Sequence, residues 1–188
     1  MTRRPRTPLL ALLALAALAL LGGCGNQKSV VTAADTEGPY LDVGPLQYQV
    51  QISRQLNPHD NEDRSYFVGV PNPDGLKPTE TWFAVFIRVK NPTGRFVYPA
   101  RQFEITDTQG NTYRPVAVGS DNVFAYRPAA ISPAGELPSN DSTARTGPIG
   151  GAMLLYRLTL DTVANRPLKL HIFSPAGPPR EAEVELDV

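Results

Sequence analysis

The chain has 188 residues, with 18 basic and 18 acidic side chains and no formal net charge. That length fits one domain with a tail, and a single cysteine excludes a disulfide scaffold and a structural zinc site. The 19 prolines and 15 glycines predict turns and short strands and argue against a helical bundle, while a 41% hydrophobic content is too high for a disordered chain.

The N-terminus reads as an export signal. Arg3, Arg4 and Arg6 precede an unbroken Leu/Ala run from Leu9 to Leu21, which is short for a membrane span of about 20 residues. Leu21-Gly22-Gly23-Cys24 then resembles the lipobox of bacterial lipoproteins, in which the cysteine thiol receives a diacylglyceryl group and becomes the new N-terminus. Residues 1–23 are therefore expected to be removed and Cys24 to carry lipid that anchors the chain to a membrane. The mature chain keeps 15 basic and 18 acidic side chains, a net charge of −3 that argues against nucleic acid as a partner. Residues 24–44 are mostly small and polar. They read as a lipidated tether, of which some 20 residues span at most roughly 70 Å.

From Pro45 the apolar period is two. Tyr48, Val50 and Ile52 alternate with polar residues. Trp82 to Lys90 is the strongest strand: Phe83, Val85, Ile87 and Val89 share one face, and Trp82, Ala84 and Phe86 make its first half apolar on the other face too. Arg88 and Lys90 are expected on a wet face. Phe103 and Ile105 lead into Asp107-Thr108-Gln109-Gly110-Asn111, a hairpin turn whose Gly110 supplies a positive φ. Met153 to Leu160, Leu168 to Ile172 and Val184 to Val188 are further strands. One short helix is expected, near Asp161 to Asn165. About seven or more strands over residues 45–188 predict an all-β fold, an antiparallel immunoglobulin-like β-sandwich.

Three stretches carry a resemblance: Val89-Lys90-Asn91-Pro92-Thr93, the hairpin from Phe103 to Tyr113, and Gly151 to Leu158. They look like domain-of-unknown-function family 4352, whose members are bacterial lipoproteins with an immunoglobulin-like sandwich similar to immunoprotective antigens. The resemblance covers about residues 45 to 188 and implies fold more than function. The segment between Leu56 and Glu80 is longer than the family's compact form. No catalytic residue carries over.

Chemistry-bearing residues are few. His59, Asp60, Glu62, Asp63, Asp74 and Glu80 cluster in one long connection, but Ser65 stands where a calcium loop of the EF-hand type needs glycine. A solvated acidic loop is the simpler reading, and no metal or cofactor is expected. His171 reads as a strand histidine turned to solvent or to the sheet edge. There is no G-x-S-x-G elbow and no glycine-rich loop opening a helix, so no enzyme activity is expected. Tyr66 and Phe67 in one long connection, and Phe124 and Tyr126 in residues 117–140, have two readings: anchors that pin the loops, or a recognition surface. Deleting residues 59–77 is expected to leave the fold intact unless Tyr66 and Phe67 are buried plugs. The expected function is a non-enzymatic, exported lipoprotein at the cell membrane or outer envelope, facing outside the cytoplasm and binding an envelope protein or component through loops. An accessory role in metal or redox enzyme assembly is the alternative.

Overall fold

A computed structural model describes residues 29–187. The expected signal peptide, residues 1–23, and Cys24 lie outside the described residues.

Among the described residues ten strands form two packed sheets. Sheet A has the order β1 (Ala33–Ala34), β10 (Glu181–Leu186), β9 (Leu168–Phe173), β5 (Gln102–Thr106), β6 (Thr112–Tyr113). Sheet B runs β2 (Tyr40–Val43), β3 (Leu46–Leu56), β4 (Glu80–Lys90), with β8 (Ala152–Thr159) and the short β7 (Glu136–Leu137) sharing the far side of β4. Every pair is antiparallel except β1 with β10, which is parallel. This is an all-β, immunoglobulin-like β-sandwich.

Period-two patterning builds the core. Phe83, Val85, Ile87 and Val89 of β4 are fully buried and face Phe103, Ile105, Leu168, Leu170, Ile172 and Val184 from sheet A. Tyr48 and Val50 point into the same core. The expected alternation breaks at Ile52, however. Val50 pairs with Ile87 and Ile52 with Phe86, so Gln51 is an extra residue and the strand bulges there. The bulge reverses the faces: Ile52 turns out to solvent, 40% exposed, and Ser53 turns in.

The predicted hairpin after β5 is present, with Gly110 at φ +81° and Asp107 holding the turn through both carboxylate oxygens. The helix near residue 161 is one turn, Leu160–Ala164, whose Thr162 N–H donates to the Thr159 hydroxyl.

One boundary moves. Residues up to 44 were expected to be tether, yet β1 and β2 belong to the two sheets. Leu41 and Val43 are buried in the core. The Val31 N–H donates to Asp42 Oδ2 and its carbonyl accepts from Asp42 N–H at 2.6 Å. A two-residue strand of alanines has no pattern to read, and four residues of β2 are too few to establish one.

The sandwich has two distinct ends. At the lower end lie the β2–β3 turn at Gly44, the crossing 91–101 from β4 to β5, and the 174–180 turn, joined by Gly44 N–H donating to Pro179 O. At the upper end lie the 57–79 segment, the Asp107–Asn111 turn and the 160–167 connection.

Candidate functional site

The outer face of sheet B explains where the long connections go. β4 presents Trp82, Ala84 and Phe86 outward, β3 presents Leu56, and β8 presents Met153 and Leu155. An apolar face of that size must be covered. A 3-10 turn at Arg64–Phe67 lowers Tyr66 and Phe67 onto it. Tyr66 sits edge-on to Phe86 at 5.1 Å and to Phe124 at 4.8 Å, and Phe67 edge-on to Trp82 at 5.9 Å. Asn122 ties the two connections together, donating to the carbonyls of Tyr66 and Val68 and accepting from Phe124 N–H and Ala125 N–H.

This corrects the recognition-surface reading of those aromatics. Tyr66, Phe67 and Phe124 are buried in a second hydrophobic core. Tyr126 is half-buried and packs edge-on to Phe103 at 5.1 Å, against the core between the two sheets. Its hydroxyl donates to Ala100 O, while the Tyr48 hydroxyl accepts from Ala100 N–H, so the two tyrosines clamp one residue of the 91–101 crossing. Burial pushes the Tyr48 hydroxyl up to about 12. All four are anchors, and deleting residues 59–77 would strip the second core. A signal existed in the sequence: a strand apolar on both faces needs a lid, and the connections holding Tyr66, Phe67 and Phe124 are long enough to supply one.

The cover leaves an open cleft of about 470 Å³ at the upper end, lined by Arg54, His59, Asp60, Asp63, Asp74 and Glu80 among others. Its structural charges are already used. Asp63 is buried, accepting from Asn57 N–H and from the Arg54 guanidinium that β3 turns outward after its bulge. Glu80 accepts from Lys77 N–H and pairs with Arg157, and these two contacts hold its carboxyl below the usual range. His59 and Asp74 stand 3.6 Å apart across the mouth, 77% and 65% exposed. An ion pair that exposed contributes little in solvent. Asp60 and Glu62 are exposed beside them.

The cleft is suited to polar recognition. Thr81 is the hydroxyl in its lining, and it donates to the Trp82 carbonyl rather than to a base. No three His, Cys, Asp or Glu side chains converge to hold a metal among the described residues. His171 is on the outer face of sheet A, hydrogen-bonded to Thr106 and Glu181 at 3.0 and 2.9 Å. Arg88 is not on a wet face. It is half-buried under residues 145–150 and donates to the Gly150 carbonyl.

No family model matches the chain, and no curated protein matches it in sequence. Solved structures do match in shape. The yjhA protein of Bacillus subtilis superposes with a TM-score of 0.52 at 10% identity, over 81% of this chain and 99% of that one. A "putative lipoprotein (ycdA)" of Bacillus subtilis subsp. subtilis str. 168 gives 0.49 at 10% identity, over 79% of this chain but 38% of its own. An uncharacterized β-sandwich protein of Clostridium difficile 630 gives 0.46 at 10% identity, over 85% and 99%. At such identities the likeness concerns the fold alone.

Proposed function

We propose that the protein is a lipid-anchored, extracytoplasmic, non-enzymatic binding module that engages an envelope protein or component through the cleft at its upper end. The observation carrying this reading is the division of labour within residues 57–80. Tyr66, Phe67, Asp63 and Glu80 close the fold, which leaves His59, Asp60 and Asp74 exposed around an open cleft with Glu62 exposed beside them. Among the described residues their side chains' only ties are the solvent-screened His59–Asp74 contact and the Glu62 N–H donated to Asp60. A rim held on so fixed a base presents its polar groups at low ordering cost. The basic–apolar–Leu21-Gly22-Gly23-Cys24 order supports the anchor, and the hairpin and Gly151–Leu158 strand support a place beside family 4352.

A photo-crosslinking residue at Glu62 tests the site in the native envelope. A discrete adduct is expected there and none from the same probe at Glu185, on the outer face of sheet A. Equal adducts, or none from Glu62, would remove the cleft from consideration. Metabolic labelling with an alkyne fatty acid tests the anchor: wild type is labelled and Cys24→Ser is not.

A further inference from the structure

We infer that the lower end of the sandwich is a membrane-facing surface, with Phe96 and Tyr98 seated in the interfacial layer of the bilayer and Arg95 and Arg101 against anionic headgroups. The inference rests on the anchoring at Cys24 proposed above.

The first argument is reach. Val31 is fixed to Asp42, and Thr32 O accepts from Glu183 N–H at the lower end. Val31 lies seven positions beyond Cys24, so the link between them spans at most roughly 25 Å in any arrangement. An 11-residue strand such as β3 is about 36 Å long. The leash is therefore shorter than the sandwich. Its upper end cannot be turned onto the membrane that holds Cys24, whereas its lower end is kept beside that membrane.

The second argument is what the lower end exposes. Among the described residues Phe96, Val30 and Tyr98 are the three most exposed large hydrophobic residues, at 69%, 63% and 60%, and all belong to this end. Val97 between the two aromatics is buried and bridges to Ile131, so Phe96 and Tyr98 are the outward partners of an alternating pair. The segment is braced. The Asn91 amide, itself 1% exposed, donates to the carbonyls of Arg95, Ile131 and Ser132. At the other end Ala100 is held by Tyr48 and Tyr126. Two aromatics held out on a stiff support are not loop side chains awaiting a place in the core.

The third argument is charge. The 91–101 crossing holds no acid and two arginines, Arg95 and Arg101. Arg95 and Arg101 flank the aromatics and are exposed. Aromatic rings with basic neighbours match the headgroup layer of an anionic bilayer, where amphipathic rings settle and cations are attracted.

The test uses the full lipidated chain, extracted from membranes and returned to vesicles of phosphatidylcholine and phosphatidylglycerol containing brominated acyl chains. Phe96→Trp and, at the upper end, Leu160→Trp report the two positions against the covered native Trp82, and both sites are exposed enough to accept the ring without refolding. Emission from the Phe96→Trp chain should fall about twofold with bromolipid, while that from Leu160→Trp stays at the wild-type level. A chain that floats with the vesicles but shows no quenching at position 96 overturns the membrane surface and leaves the anchor standing. Blue-shifted emission at 96 without quenching places a second copy of the chain on the patch and likewise overturns it. A chain that does not float, and takes no fatty-acid label in cells, overturns both readings.

Discussion

Sheet A turns Lys169, His171, Glu104, Glu183 and Glu185 outward, whereas sheet B turns out Trp82, Ala84, Phe86, Met153 and Leu155. On sheet A the outer groups satisfy one another across strands: Lys169 with Glu183 at 3.0 Å, Arg114 with Glu104 at 2.9 Å, His171 with Glu181 at 2.9 Å. On sheet B the outer groups have no such recourse, and two irregular segments are drawn over them. The same sandwich thus contains one two-layer half and one three-layer half. Irregular chain in a fold of this size is fixed where the sheet beneath it is apolar, and left as short turns where the sheet is polar.

The largest break in that contrast should come from the lid. Tyr66→Ala empties a site enclosed by Phe86 and Phe124 and should cost about 3–5 kcal/mol, the range for a large aromatic in a core. Thermal melts of the purified protein measure it. A loss under about 1 kcal/mol would mean that the outer layer is a loose cover rather than a second core.

Arg88→Ser asks how far the covered zone extends along β4. Arg88 was expected to be wet, but its guanidinium holds the Gly150 carbonyl under a half-buried roof. Losing it strands that carbonyl and should cost roughly 1–3 kcal/mol. A neutral result would end the lid at Phe86.

Asp107 sharpens the polar side. Burial raises its carboxyl, but hydrogen bonds from Asn111, Gln109 and Tyr113 outweigh burial and hold it below its ordinary range. A depressed carboxyl stabilises the fold at neutral pH, and that stabilisation is lost as pH falls through the folded-state value, below about 4. Asp107→Asn should therefore melt lower than wild type at pH 7, and the gap should shrink in acid. Parallel melts at pH 7 and near pH 3 check the sign. A gap that widens in acid contradicts it.

The smallest effect is expected at Tyr156. Its side chain is fully buried between the sheets, and its hydroxyl finds no partner among the described protein groups. Burial raises that hydroxyl well above its ordinary value. Tyr156→Phe removes no protein hydrogen bond, so the melting temperature should stay level or rise slightly. A fall of several degrees would show that the hydroxyl is satisfied after all.

The two halves were unequally legible. β4, β9, β10 and the Asp107 turn could be read because regular backbone writes a period of two and a turn with positive φ demands glycine. That β4 needs a cover could be read from its two apolar faces, but whether Tyr66, Phe67 and Phe124 supply it or face a partner could not, since they reach their sites from irregular backbone that carries no period, amid charges that signal solvent. The bulge at Gln51 was hidden for a related reason: one inserted residue reverses every later face without altering composition. Of the candidate site, the acidic residues were visible as a cluster. Which of them close the fold was not, because the Arg54–Asp63 pair depends on that bulge and the Glu80–Arg157 contact joins residues 77 positions apart. Phe96 and Tyr98 passed unnoticed because exposure itself has no sequence signature.

The parallel pairing of β1 with β10 has a mechanical meaning. The chain enters at the lower end and climbs beside β10, held by the Val31–Asp42 and Thr32–Glu183 backbone bonds and by the β1 ladder. A pull on residue 29, directed out of that end, runs along the strand axes. These bonds are then loaded in shear, all together, instead of being peeled open in turn. Forced unfolding is governed by the rate of crossing its barrier rather than by equilibrium stability. A few short contacts can thus resist tugging through the N-terminal leash better than their number implies.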